Sequence, residues 1–350
     1  MSTRRTKKRH WIKIPLVSLL LIILIFAASL AWVIFAPQLG YFKGKKEIVK
    51  IRSGSSRDEI VELLLEKRVI RNRKNFVFVC NLFGYTNKLK AGKYEIPLGL
   101  SNYSVLKILV KGKAAIERVT IPEGVNHRRI ASILQKKIEL DSSRFVQLVN
   151  DSSFTRVLGI SAPTLEGYLY PDTYYLPWGL REEETIGVLV KEFQKHFPDS
   201  LKQRAAELGL TPHQAIILAS IIEGEVMVDS ERPIISAVYH NRLKRGILLQ
   251  ADPTIQYIIP GGPRRLRNRD LEIDSPYNTY KHPGLPPGPI NNPGVKSILA
   301  ALYPANVNYL YLVARGDGSH IFSANLQDHL RAKSQFDLYR RQVARQQRQN

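Results

Sequence analysis

The sequence predicts an α+β protein carried on one N-terminal transmembrane helix, with a small βααβ subdomain ahead of a mixed α/β domain rich in long Pro-, Gly- and Tyr-containing loops. Three observations predict it: an uncharged apolar run near the N-terminus, strand–turn–helix patterning from residue 47, and, from about residue 161, helical periodicities separated by loops.

The N-terminal element comes first. Arg4, Arg5, Lys7, Lys8, Arg9 and Lys13 form a basic tail (1–13), followed by a run from Ile14 to Ala36 without a charged residue. As a helix, the 23 residues of 14–36 span a hydrocarbon core of about 30 Å. Trp11 and Trp32 bracket the run about 31 Å apart, where interfacial aromatics sit. The basic cluster holds the N-terminus in the cytoplasm and places everything beyond about residue 37 outside. A cleaved signal peptide with Ser29-Leu30-Ala31 as its processing site is the rival reading. The apolar run continues through Trp32-Val33-Ile34-Phe35, which favours a retained, single-pass anchor.

After the anchor, about 310 residues remain, ample for two domains with cores. A lone Cys80 excludes an internal disulfide framework and a cysteine-based metal site, and the eight His show no ligand spacing. No metal or cofactor is therefore expected. The net charge of +22 raises nucleic acid as a partner. An exported domain has no ordinary access to it, so none is expected; anionic lipid or an anionic wall polymer suits the charge better. Part of the charge lies in the N-terminal tail and part in the C-terminal stretch carrying Arg331, Lys333, Arg340, Arg341, Arg345 and Arg348.

Residues 37–46 read as a linker. From 47, alternating Ile48-Val49-Lys50-Ile51 predicts a strand and Ser53-Gly54-Ser55 a turn. A helix then carries Ile60, Leu63, Leu64 and Leu65, with Ser55 or Ser56 as N-cap and Asp58 and Glu59 in its first turn. A second helix over 73–83, a turn into a strand at 89–96 and a helix over 101–111 follow. Ile51-x-x-Gly54 with Ile60 and Leu64 recurs at an offset of 70 as Ile121-x-x-Gly124 with Ile130 and Leu134. The echo suggests a β-turn-α module used twice, of the sort found in carbohydrate-binding βααβ domains, and convergent capping patterns also produce it. The first region is placed at 47–150 and the second at 151–350. The second has helices near 181–196, 199–208, 212–228 and 231–245, a loop-rich interval over 246–296, a helix over 294–303, strands over 309–314 and 320–323, and a terminal helix. Thr211-Pro212 is a strong helix start.

Glu223 ends the apolar run Ala215–Ile222. A carboxylate there must be paired, hydrogen-bonded or kept protonated, and a protonated carboxyl is what general-acid chemistry on a glycosidic oxygen needs. An amphipathic helix surfacing at its polar end gives the same string. Three further segments combine acids, amides and tyrosines, which suits a sugar cleft and equally suits turns and core: 165–174 with Glu166, Tyr168 and Asp172; 250–257 with Gln250 and Asp252; 275–290 with Tyr277 and Asn278.

Taken together, L-E-G-Y-L-Y-P-D-T-Y at 165–174, L-A-S-I-I-E-x-E at 218–225, S-E-R at 230–232, N-R-L at 241–243, L-Q-A-D-P-T at 249–254, Y-N-T-Y at 277–280 and G-L-P-P-G-P-I at 284–290 resemble the endolytic murein transglycosylases, the MltG/YceG-like family. The resemblance covers nearly the whole chain. It implies a LysM-like glycan-binding subdomain before about 150, a catalytic domain after it, and Glu223 as catalytic acid/base. It also implies residence in the bacterial inner membrane with the catalytic domain on the periplasmic face. The implied reaction cleaves the MurNAc–GlcNAc β-1,4 bond of peptidoglycan strands without water and leaves 1,6-anhydro ends. Cell-wall synthases are the implied partners. The family often has Lys where Gly224 stands here, a modest change of environment for the acid. Glu166, Tyr168, Asp172, Glu225, Gln250, Asp252, Tyr277 and Asn278 are candidate substrate contacts. Glu225, about 200° further round the helix, equally suits a structural role against an Arg such as Arg232. A hydrolytic muramidase and a non-catalytic glycan-binding scaffold are the competing functions.

Overall fold

The computed structural model of the chain describes residues 8–38, 45–85, 88–112 and 115–346. Most of the expected basic tail and of the expected linker, and Arg348, lie outside the described residues. The chain forms two compact units, residues 1–117 with 176–181, and residues 118–175 with 182–350. The expected boundary at 150 falls inside the second unit.

In the first unit, helix α1 (Lys8–Phe35) contains a stretch, Leu16–Phe35, long and apolar enough to cross a membrane. Its last turn is fastened to the unit: Asn102 Nδ2 donates to the carbonyl of Val33 at 2.9 Å, and the rings of Phe35 and Tyr103 meet edge to face at 5.5 Å. Strand β1 (Lys46–Ile51) pairs antiparallel with β2 (Gly92–Pro97), Lys46 opposite Pro97 and Ile51 opposite Gly92. Helices α2 (Arg57–Glu66) and α3 (Arg73–Leu82) lie between them in sequence, and α4 (Asn102–Lys111) follows. Of the two serines, Ser56 is the cap. Its hydroxyl accepts from the Glu59 amide, and the Glu59 carboxylate accepts from the Ser56 amide at 2.6 Å, so two helix-end donors are satisfied reciprocally. Val49, Leu64, Phe76, Ile96 and Leu106 are fully buried in the core these elements enclose.

The second unit is mostly helical. It takes in the end of β3 (Ile116–Thr120) and the start of its partner β4 (Thr173–Pro177), then α5 (His127–Ile138), α6 (Ser142–Val149), α7 (Ser152–Val157), α8 (Glu182–His196) and α9 (Asp199–Glu207). Next come α10 (Pro212–Glu225), α11 (Arg232–Lys244), α12 (Asp252–Ile258) and α13 (Val295–Leu302). The antiparallel hairpin β5 (Tyr311–Ala314) and β6 (His320–Ser323) precedes α14 (Leu326–Gln346). The sequence pattern did not indicate α6 or α7, and α12 lies within the interval read as loop. Its Asp252-Pro253 start was a usable signal, since Pro fits the first helical turn, where its missing N–H is no loss. The helix expected over 212–228 stops at Glu225.

Helix α10 is the axis of this unit. Thr211 and Gln214 form its capping box, and Ala215 to Ile222 are all buried. It packs against α9, α11, α12 and α13. An all-apolar helix surrounded in this way is a core element rather than a surface one.

The loop before α13 is stitched to α10. The Ser220 hydroxyl accepts from the Ile290 amide at 3.1 Å, and Asn291 Nδ2 donates to the Ser220 carbonyl at 2.8 Å. Asn292, fully buried, joins three stretches of chain. Its Oδ1 accepts from the amides of Gly167 and Leu169 at 2.9 Å each. Its Nδ2 donates to the Val125 carbonyl at 3.0 Å and to Glu166 Oε1 at 2.8 Å. The Asn292 amide also donates to the Val125 carbonyl, and the Gly124 amide donates to the Asn292 carbonyl, both at 3.0 Å. A truncated side chain here strands several buried polar groups. Asn292→Ala is expected to destabilise the second unit by about 3 kcal/mol or more, measured as a drop in denaturant midpoint at unchanged slope.

Candidate functional site

Glu223 lies in the last turn of α10, and its side chain is only 7% exposed. Its Oε2 accepts from Arg232 Nη1 at 3.2 Å and from the Gly294 amide at 3.1 Å. Gly294 is the N-cap of α13, so its N–H is one of the donors a helix leaves unsatisfied at its start. Arg232, itself buried, also donates through Nε to Asp229 Oδ1 at 3.1 Å and through Nη1 to the Ser297 hydroxyl. Asp229 in turn holds Lys296. These two cations keep the Asp229 carboxyl below its usual range, hydrogen bonding by Lys296 contributing most.

Arg232 is thus the partner of Glu223. Glu225, for which Arg232 is the partner expected from sequence, points elsewhere. Tyr239 Oη donates to Glu225 Oε2 at 3.3 Å, and His320 Nε2 lies 3.9 Å from its Oε1. Two residues along a helix turn a side chain through about 200°, so the neighbouring acids serve different surroundings.

A cleft of about 760 Å³ is lined in part by Gly124, Asn126, Arg128, Gly224, Tyr257 and Asn291. The volume lies within the roughly 300–1,000 Å³ of ordinary ligand clefts. Gly224 adjoins Glu223 in sequence, and a Cβ on Gly124 would stand 3.5 Å from Glu223 Cγ. The Tyr257 ring meets that of Tyr277 at 5.1 Å, which brings one sequence candidate near this cleft. Arg128, Asn126 and Tyr257 were not among those candidates.

A second cavity, of about 430 Å³, is lined by Glu225, Arg242, Gln250, Asp252, Tyr280 and His320 among others. It gathers three of the sequence candidates, Glu225, Gln250 and Asp252. Tyr280 Oη donates to Asp252 Oδ1 at 2.5 Å, and Arg242 is occupied by the carbonyls of Leu248, Leu249 and Leu310. Burial first, and the charge of Asp252 second, push the Glu225 carboxyl from 4.5 up to about 7, against the opposing pull of His320, Tyr239 and Arg242.

The remaining candidates are placed otherwise. Glu166 is 2% exposed, and its oxygens accept from the His127 amide, His127 Nδ1 and Asn292. Tyr168 is buried, with its hydroxyl 2.6 Å from His213 Nδ1. Asn278 is fully buried and ties down the carbonyls of Leu271 and Ile273. All three are buried and hydrogen-bonded within the fold. Asp172 is exposed, and its carboxylate accepts from its neighbour's amide at 2.6 Å.

Sequence reasoning missed Glu123. A Cβ built on Gly294 would stand only 1.8 Å from Glu123 Oε1 and 2.2 Å from its Cδ. The carboxyl therefore lies over the same glycine whose N–H binds Glu223. Burial, and then the charge of Glu223, raise the Glu123 carboxyl above its ordinary value. The available signal was its position inside the repeated Ile121-x-x-Gly124 turn. Among the described residues, no group of three or more His, Cys, Asp or Glu side chains could hold a metal ion.

The YceG-like family model matches residues 49–335, and the chain belongs to the YceG-like family. It is 31% identical over 306 residues to the endolytic murein transglycosylase of Bacillus subtilis (strain 168), covering 82% of this chain and 84% of that one. It is 29% identical over 316 residues to the endolytic murein transglycosylase of Streptococcus pneumoniae serotype 2 (strain D39), covering 80% of this chain and 56% of the longer relative. The crystal structure of a YceG-like protein from Listeria monocytogenes superposes with a TM-score of 0.57 at 33% identity, covering 82% of this chain and 98% of that one.

Two outcomes are expected. A Cβ on Gly224 would fall 2.6 Å from Pro253 Cβ, so Gly224→Ala should lose about 1–3 kcal/mol by overpacking despite its better helix propensity, read as a lower melting temperature. Secondly, the folded protein binds more protons at Glu225 than the unfolded chain between about pH 4.5 and pH 7, so this group's contribution to stability falls as pH rises through that window. Glu225→Gln should remove that loss. Its stability relative to wild type should rise by about 3 kcal/mol between pH 4 and pH 8, measured by denaturant unfolding at both values.

Proposed function

We propose that this chain is a membrane-anchored endolytic peptidoglycan transglycosylase with Glu223 as its catalytic acid/base. The observation that carries the reading is a nearly buried carboxylate, fixed by Arg232 and the Gly294 amide, next to Gly124 and Gly224, two glycines that line a cleft. The names of the Bacillus and Streptococcus relatives supply the substrate class.

In this mechanism two donors occupy Oε2 of Glu223, so the proton travels on Oε1. Glu223 gives that proton to the glycosidic oxygen between MurNAc and GlcNAc. The C1–O bond breaks with its electron pair going to that oxygen, and C1 takes on oxocarbenium character. The resulting carboxylate removes the proton of the muramyl C6 hydroxyl, whose oxygen closes on C1 to give the 1,6-anhydro end. No water enters, and Glu223 ends protonated as it began. Arg232 and the α13 N-terminus hold the carboxylate in one orientation through both proton transfers, which is the preorganisation general acid–base catalysis requires.

The β1–α2–α3–β2 order of the first unit, with its antiparallel strand pair, supports reading it as a LysM-like glycan-binding module. The apolar helix α1 and the basic residues before it support an inner-membrane anchor with the N-terminus in the cytoplasm and both units outside. A tether there brings the site to newly made strands, with the elongating synthases as partners and termination of elongation as the outcome. Glu123 favours a second reading, a hydrolytic muramidase, because a two-carboxylate glycosidase uses its second acid to activate water or to attack.

The full-length protein in detergent, incubated with purified peptidoglycan, tests the proposal by mass spectrometry of the released fragments. Wild type should give ends lighter than a reducing sugar by one water. Glu223→Gln should lower their yield at least about 100-fold. Reducing ends would establish the muramidase instead, and undiminished anhydro ends from Glu223→Gln would remove Glu223 from the mechanism.

A further inference from the structure

We propose that the cleft of about 760 Å³ binds the peptide stem of the glycan strand through its carboxylates, with Arg128 and Arg129 as the residues that read them. The inference rests on the transglycosylase reading and adds the part of the substrate that this cleft recognises.

The cleft carries charge of one sign. Arg128 and Arg129 are the charged side chains that line it, and no Asp or Glu is among the lining residues. The acids nearest in sequence are turned to other places: Glu223 to Arg232 and the Gly294 amide, Glu123 to the space over Gly294. Both arginines are exposed, and among the described residues no carboxylate pairs with either. The start of their helix, α5, is fixed. Asn126 Oδ1 accepts from the Arg129 amide at 3.0 Å, and Glu166 Oε1 accepts from the His127 amide at 3.1 Å. Two unpaired guanidinium groups on a rigid turn suit carboxylates, which accept from both arms of the fork.

Two further features select a peptide. Asn291 lines the cleft, is 5% exposed, and spends its Nδ2 on the Ser220 carbonyl at 2.8 Å. Its Oδ1 is buried and has no hydrogen-bond partner among the described residues. A buried acceptor without a donor is costly, and a peptide N–H would satisfy it. Ile258, Ile259, Pro260 and Pro263 supply an apolar wall that fits short aliphatic side chains. A phosphate polyanion would use the arginines and neither of these features. The stem hangs from the muramyl sugar whose bond is cut, and two cleft glycines adjoin the acid. Gly224 follows Glu223 in sequence, and a Cβ on Gly124 would stand 3.5 Å from Glu223 Cγ. A stem held here seats its muramyl residue beside Glu223.

The test is titration calorimetry of the full-length protein in detergent with a synthetic stem tripeptide, L-Ala-γ-D-Glu-L-Lys, its carboxylates free or amidated. Wild type should bind the free acid, more weakly as salt rises, and the amidated peptide at least about 10-fold more weakly still. That comparison judges the charge contact without any substitution. Arg128→Gln/Arg129→Gln should lose about 10-fold in affinity for the free acid, and Arg128→Lys/Arg129→Lys should recover part of it. Equal binding of the two peptides, binding of neither, or binding of poly(glycerol phosphate) in place of the tripeptide overturns the proposal. A second readout is anhydro-end formation from strands with stems and from strands stripped of them. Wild type should favour stem-bearing strands by about 10-fold in kcat/KM, and the double Gln variant should lose that preference. Anhydro ends formed equally from both strands by wild type also overturn the proposal. A wild type that binds the tripeptide but forms no anhydro ends from either strand overturns the transglycosylase reading and leaves the cleft assignment standing.

Discussion

The second unit depends on one buried amide. Asn292 accepts from the strand of backbone at Gly167 and Leu169, donates to Val125 and Glu166, and bonds through its own backbone to Gly124 and Val125. A buried polar group is tolerated only when its hydrogen bonds are made, and here the side chain uses both donors and both acceptor positions on protein partners. Three segments distant in sequence are thereby held in register, and two of them carry Glu123 and Gly294. The placement of Glu123 and of Gly294 beside Glu223 follows from this amide and from the Ser220 clamps on the 290–291 loop.

Helix α10 places two carboxylates on that scaffold. Its apolar body fixes it against four other helices, so its last turn has little freedom. Two acids in that turn then face opposite ways. Glu223 meets an arginine and a helix N-terminus. Glu225 meets a tyrosine, a histidine and another carboxylate. The same residue type acquires two electrostatic settings within two positions because the rotation per residue separates their surroundings.

Gly224 between them has a steric explanation. The sequence alone presents it as a weak helix residue. In the folded chain, Pro253 at the start of α12 lies against it, at a distance no β-carbon tolerates. Its helix propensity, poorer than alanine's by about 1 kcal/mol, is offset by the close approach of α12, which also forms one wall of the cleft through Pro253, Gln256 and Tyr257.

Much of this was legible in the chain. The apolar run before residue 36, the Ser56 and Thr211 caps, the strand alternation at 48–51 and Glu223 at the end of the apolar helix run are local signals, because helix ends, turns and periodic burial depend on near neighbours. Tertiary structure decided what local signals do not contain. It assigned Arg232 to Glu223, took Glu166, Tyr168 and Asn278 into the interior, placed Glu225 and not Glu223 in the smaller cavity, and brought Glu123 from 171 residues away to Gly294. Composition and spacing specify that a carboxylate ends a buried helix. Only the packed fold specifies which charges surround it, since those charges come from segments whose proximity depends on long-range hydrogen bonds and close contacts.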